Sequence, residues 1–197
     1  MQITMMETST EFESPVLDII KNRKSRRAYL NKPIEPEKIK SLFEAAKWAP
    51  SSMNDQPWMY IYATKDQPEL WNKIFEALND GNNPWAKEAP LLIVSLARKN
   101  FALNGKPNGS AKYDLGAANA FLTLQATALD LNLHQMGGYH RDILIANLNI
   151  PEEYETGVIM AVGYLGSPDG LPENLKEREL APRQRYVQRE FVKNQAF

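Results

Sequence analysis

Apolar positions along this chain fall into two kinds of pattern. Ile39, Leu42, Phe43 and Ala46 recur at helical spacing behind Pro36, a residue suited to a first helical turn. A helix is therefore predicted from Pro36, and it must end near Ala49, because Pro50 disfavours helical backbone in the residue before it. Pro68 opens another, with Leu70, Ile74 and Leu78 on one face, and Ser14-Pro15 opens a short one carrying Val16, Leu17, Ile19 and Ile20 and fading near Asn22. Met59 to Ala63 reads as a strand. The continuous apolar runs Ala89–Leu96 and Gly157–Gly166 have the length of strands buried on both faces. The longest helical stretch, Lys112 to Leu131, is apolar nearly all the way round, which predicts burial, in part against a partner subunit. A shorter helix is predicted over His140 to Leu148, and from Ser167 the chain turns polar, Pro-punctuated and finally Arg-rich.

At 197 residues the chain is long enough for a substantial core. With no repeat or linker, it reads as one α+β domain over residues 14–197 behind a flexible segment, residues 1–13. Its net charge of −1 argues against nucleic acid or an acidic membrane surface as a partner. No cysteine is present, which removes disulfides, thiol catalysis and thiolate metal sites. Met1 to Ser14 lacks the charged and apolar regions of a signal peptide and no apolar run approaches a membrane span, so a soluble cytoplasmic protein is expected.

Candidate chemistry is concentrated in a few segments. Ala49-Pro50-Ser51-Ser52-Met53-Asn54-Asp55-Gln56-Pro57-Trp58 is rich in hydrogen-bonding groups and stiffened by prolines, as a loop must be to hold a flat polar ligand in one orientation. Arg23-Lys24-Ser25-Arg26-Arg27 offers four cations and a hydroxyl, an anion grip; in extended backbone Arg23, Ser25 and Arg27 share one face. The plain alternative is a solvated basic turn after a helix. Arg183 and Arg185 repeat the pattern, with a charged tail as the alternative. In Gln135-Met136-Gly137-Gly138-Tyr139 the paired glycines allow a close backbone approach, or merely cap a helix. Asn82-Asn83-Pro84-Trp85 reads as a loop with an apolar anchor. His134 and His140 lack the spacing of a zinc site, so no metal is expected, and no dinucleotide or P-loop glycine motif occurs.

The order of these segments, Arg-x-Ser-x-Arg, then Pro-Ser-Ser-x-Asn-x-Gln-Pro-Trp, then a Gly pair behind an Ala-rich helix, then Arg-x-Arg, resembles the nitroreductase family of FMN-dependent oxidoreductases from about Val16 to Val192. The resemblance implies a central, mainly antiparallel sheet flanked by helices, and a homodimer whose C-terminal segment crosses to the partner. It implies FMN at the dimer interface, reduced by NADH or NADPH, with electrons then passed to a small-molecule acceptor such as a nitroaromatic or quinone in a ping-pong cycle. Alternatives on the same fold are dehalogenation, dehydrogenation or non-catalytic flavin binding. By position, Arg23, Ser25, Arg183 and Arg185 would cage the phosphate and Lys24 would contact the flavin through its backbone. Arg27 would lie near flavin N1 and O2, and Asn82 at the pyrimidine edge. Pro50, Ser51, Ser52 and Asn54 would reach the flavin from the partner, and Met136, Gly137 and Gly138 would bring a backbone amide to N5. No protein side chain is expected to act as a catalytic nucleophile, acid or base, since the cofactor carries the chemistry. Gly137 stands where several relatives carry Glu, and Trp85 near where some carry a second Lys.

Overall fold

A computed structural model describes residues 6–196. In chain order the elements are β1 (Thr8–Ser9), α1 (Asp18–Asn22), α2 (Pro36–Lys47), β2 (Trp58–Thr64), α3 (Pro68–Phe75), α4 (Asn83–Ala86), β3 (Leu91–Arg98), α5 (Ala111–Ala128), β4 (Asn132–Met136), α6 (Arg141–Leu148), β5 (Tyr154–Gly163), α7 (Glu173–Leu180) and β6 (Arg185–Tyr186). The main sheet has the order β2-β3-β5-β4, every pairing antiparallel. Alternate residues of its strands feed two cores. On one side Leu92, Val94, Ile159, Ala161 and Met136 pack with Trp71, Ile74, Trp85 and Leu144 from α3, α4 and α6. On the other, Leu91, Ile93, Met160, Val162 and Leu133 pack with Leu42, Ala46, Ala118 and Leu122 from α2 and α5. The result is an α+β sandwich of helices, antiparallel sheet and helices.

Several expectations need correction. The first helix starts at Asp18 rather than at Ser14-Pro15, because Leu17 is still extended (φ −59°, ψ 142°), and the Lys21 ammonium pairs with Asp18 at 2.9 Å in its only full turn. Its Leu17 and Ile20 are exposed rather than packed. Helix α5, by contrast, follows its predicted span closely: Leu115, Ala118, Leu122 and Ala126 are buried within the protomer, while Tyr113 is 83% exposed and Phe121 faces solvent. Strand β5 begins and ends three residues ahead of its predicted span. Five elements were not predicted: β4 and α7, the two-residue strands β1 and β6, and the short helix α4, which replaces the loop expected at Asn82-Asn83-Pro84-Trp85. The two-residue strand β1 pairs antiparallel with β6, Thr8 opposite Tyr186, so residues 8–9 lie against the Arg-rich C-terminal segment; residues 1–5 of the predicted flexible segment lie outside the described residues. No helix among the described residues is long and apolar enough to cross a membrane.

Candidate functional site

The arginine segments meet. After α1 the backbone leaves the helix extended at Arg23, and after α7 the Ala181-Pro182 step turns the chain back beside it. Arg183 ties the two together: its guanidinium donates to the carbonyl oxygens of Arg23 at 2.5 Å and Lys21 at 3.0 Å. Arg23 Nη1 donates to Ser25 Oγ at 3.2 Å. A cavity of about 210 Å³ is lined by Arg23, Lys24, Ser25, Arg183 and Arg185, and an adjoining one of about 290 Å³ shares Arg23, Arg183 and Arg185. Burial, and then the charges of Arg183 and Arg185, lower the pKa of Arg23. Like charges held this close are costly unless an anion joins them. The predicted alternation is less regular than extended backbone implies, because Arg26 and Arg27 both turn to the same carboxylate, Glu179, at 3.8 and 3.9 Å.

Behind the cage lies an aromatic support. Trp85, 1% exposed in α4, stacks on Tyr29 with ring centroids 6.3 Å apart and meets the His134 ring at 4.6 Å in a tilted arrangement, and Arg27 sits 5.9 Å from its ring. Trp85 is thus the apolar anchor the sequence indicated. Burial lowers the pKa of Arg27, with Arg178 adding to the effect and Glu179 opposing it. His134 is pushed down to about 4 from 6.5, first by burial and then by the Arg27 charge. It is therefore neutral near pH 7. The unfolded chain takes up its proton near pH 6.5 and the folded chain only near pH 4, so stability is complete above the upper value and falls as pH drops through the window, by about 3 kcal/mol at its lower end. His134→Phe is expected to flatten the stability profile between about pH 6.5 and pH 4.5 in urea melts; a profile as steep as the wild type's would contradict this.

The Gly pair follows β4. Gly138 has no room for a side chain: a Cβ there would lie 2.5 Å from Asn79 Nδ2 and 3.0 Å from Asn82 Nδ2. Its carbonyl accepts from Asn82 Nδ2 at 2.8 Å and from the Asn79 N–H at 3.3 Å. The Asn82 amide nitrogen is thereby committed to the Gly138 carbonyl. Gly137 borders open space, while the Met136 side chain is buried in the core, which leaves only its backbone for a ligand. Asn79 was missed by sequence reasoning. Its Oδ1 is buried without a hydrogen-bond partner, as is that of Asn83, and buried acceptors of this kind call for a donor. The only available signal was the density of Asn residues in Asn79-Asp80-Gly81-Asn82-Asn83.

The Pro50–Trp58 loop is held rigid in a strained form. Met53, Asn54 and Gln56 all have left-handed backbone, with φ of 54°, 55° and 48°. Asp55 holds it there, accepting from Arg98 Nη2 at 3.1 Å, the Ala102 N–H at 2.9 Å and Asn108 Nδ2 at 3.2 Å. Burial acts to raise the Asp55 pKa, but these donors outweigh it and hold the carboxyl below its ordinary value. Ser52 N–H is fixed by Asp114 at 3.0 Å and Ser51 Oγ accepts from Gln56 N–H at 3.1 Å, while Asn54 and Met53 face solvent. Asp55 and Asp114 were not singled out from sequence. The loop leaves α2, so it belongs to the α2/α5 layer, across the sheet from Trp85 and Met136. One protomer thus assembles Arg23, Lys24, Ser25, Arg183 and Arg185, with Arg27, Asn82 and Gly138 nearby on the same layer, but it does not bring Pro50, Ser51, Ser52 and Asn54 to them.

These residues fit a flat, phosphorylated ligand: an arginine cage for the anion, a tight Gly turn with unpaired amide acceptors beside it, and a cation over an aromatic floor. Residues 20–81 match the model of the nitroreductase family. The chain is 34% identical to an oxidoreductase described as containing FMN, and superposes on its crystal structure with a TM-score of 0.89 over 95% of each chain. A nitroreductase family protein from Clostridium difficile 630 is 25% identical, with a TM-score of 0.72 over 93% of this chain and 100% of that one. A protein of Archaeoglobus fulgidus, provisionally named NADH dehydrogenase/NAD(P)H nitroreductase, is 29% identical over 152 residues, 75% of this chain and 84% of that protein. The chain belongs to the nitroreductase family.

Proposed function

We propose that the chain is an FMN-dependent oxidoreductase that takes electrons from NADH or NADPH and passes them to small acceptors such as nitroaromatics or quinones, by a ping-pong cycle, as a cytoplasmic homodimer. The observation that carries this reading is the arginine cage, in which Arg23, Arg183 and Arg185 crowd together although their charges oppose one another. A phosphate close to a dianion relieves that repulsion and accepts several forked donors at once. Arg23, Arg185 and Ser25 bind it, with Lys24 beside them, and Arg183 fixes the backbone that presents Arg23. Arg27 supplies a fixed positive charge where reduction makes the ring more negative. Gly137 and Gly138 give a backbone amide a close approach, and Asn82 orients that turn through the Gly138 carbonyl. Bound FMN supplies the exchange of two electrons between nicotinamide and acceptor. Pro50, Ser51, Ser52 and Asn54 complete the site from the partner subunit; their stiff loop sits in the opposite layer of its own protomer, and the exposed faces of α1 and α5 offer apolar surface for the dimer.

The reading is tested by incubating the protein with FMN or with riboflavin, desalting, and recording the visible spectrum. FMN is expected to be retained and riboflavin, lacking the phosphate, to be bound at least roughly tenfold more weakly. Equal retention of both would remove the cage from the account.

A further inference from the structure

One peptide group is held by buried and half-buried side chains from three parts of the fold. The carbonyl of Arg26 and the N–H of Arg27 belong to the same peptide unit. The N–H donates to Glu179 Oε2 at 3.1 Å. The carbonyl lies 3.1 Å from His134 Nδ1 and 3.1 Å from Tyr29 Oη. A carbonyl only accepts, so His134 Nδ1 carries the proton. Tyr29 has one hydroxyl proton and also reaches the Ala161 carbonyl at 3.0 Å, so His134 covers the Arg26 carbonyl when Tyr29 turns to Ala161. Glu179, whose side chain is 3% exposed, also faces the guanidiniums of Arg26 and Arg27, and Arg26 Nη1 donates back to the Glu179 carbonyl at 3.1 Å. Glu179 Oε1 has no hydrogen bond. A carboxylate this buried is retained at a cost, and the arginines around it are what offset that cost.

We propose that Glu179 and His134 are positioning residues, a buried clamp on the Arg26–Arg27 peptide that fixes the Arg27 guanidinium beside the flavin ring. The inference rests on the proposed FMN function. Its logic is geometric. Arg27 leaves the backbone at the clamped peptide, and α7, which carries Glu179, runs on directly to Arg183 and Arg185. One carboxylate therefore joins the segment that starts the cage to the segment that completes it, and supplies the only negative charge among the cage-lining side chains of the smaller cavity.

The test is the midpoint potential of the bound flavin in Glu179→Gln, read with its melting temperature and its FMN dissociation constant. Glutamine keeps an acceptor for the Arg27 N–H but releases both guanidiniums. If the clamp positions Arg27, the reduced flavin loses its fixed cation, so the potential falls and FMN binds roughly tenfold more weakly. In an Arg27→Gln background the same change leaves the potential where it was. If Glu179 acts only as a nearby charge, its neutralisation raises the potential; if it serves stability alone, the melting temperature falls and the potential holds. Either result overturns the proposal. His134→Phe, which keeps an aromatic ring against Trp85 and carries no charge change near pH 7, is a second variant expected to lower the potential; an unchanged value there, should Glu179→Gln not fold, overturns it equally. A wild-type protein that binds no FMN would instead defeat the functional reading, which separates the two failures.

Discussion

Arg185→Ala is expected to weaken FMN binding by roughly tenfold to a hundredfold while shifting unfolding free energy by less than about 0.5 kcal/mol. The two halves of this expectation have different origins. The side chain lines both cavities of the cage, and a charge-assisted hydrogen bond to a phosphate is among the stronger contacts a site makes. Yet Arg185 is exposed, and its described hydrogen bond is a local one, to the Gln184 carbonyl at 2.6 Å, so the fold does not depend on it. Arg183 differs. Its donors go to the Lys21 and Arg23 carbonyls, so Arg183→Ala is expected to lower stability and FMN affinity together. Fluorescence titration with FMN, paired with urea melts of the two variants, separates ligand-binding cation from structural tie. Undiminished FMN affinity in Arg185→Ala would contradict the phosphate assignment.

Trp85→Ala is expected to cost about 3–5 kcal/mol, the ordinary range for emptying a large aromatic from a core. Three features place it there. The ring is 1% exposed, its Nε1 donates to the Gly81 carbonyl at 3.2 Å, Tyr29 stacks on it and the His134 ring packs against it at a tilt. Deleting it opens a cavity under Arg27. Trp85→Phe retains most of the packing and is expected to cost less than half as much, with the whole difference read from urea melts at neutral pH. A loss below about 1 kcal/mol for Trp85→Ala would mean that the aromatic support is not the keystone of this layer.

What the sequence made legible followed from how strongly local chemistry constrains the backbone. Pro36 and Pro68 start helices where their ring geometry suits a first turn, and α2 stops at Lys47, ahead of Pro50. Strand β3 over Leu91–Arg98 is apolar but for Ser95 and the terminal Arg98, and 158–163 is apolar throughout, because helices cover both faces of the sheet. Strand β4 escaped notice for the converse reason. Leu133 faces one core and Met136 the other, but His134 and Gln135 make the segment look polar, their polarity being satisfied by Arg26 O and Thr123 Oγ1, distant in sequence. Helix α7 was hidden by its charges, of which Glu179 turned out to be buried between arginines more than 150 positions away. Only tertiary structure can make such a carboxylate tolerable.

The candidate site divides along the same line. Arg23, Ser25, Arg183 and Arg185 were marked by residue type and order, and the structure sets all four around one cavity. The Gly pair was marked as a close approach, and Gly138 proves to be one, although the body approaching it in the protomer is the Asn79 and Asn82 amides. Asp55 and Asp114, which hold the Pro50–Trp58 loop in its left-handed form, looked like ordinary loop and helix acids, since their partners Arg98, Asn108 and Ser52 lie far off in sequence.

The most direct test of the account is an anaerobic titration of the FMN-loaded protein with NADH and with NADPH, followed by its visible spectrum. The account predicts that at least one nicotinamide bleaches the flavin bands with a stoichiometry of about one per bound FMN, and that a nitroaromatic or quinone then restores them. Bands that persist with both nicotinamides would contradict the proposed reductase activity, and a protein that retains no FMN to titrate would contradict the arginine cage on which the reading stands.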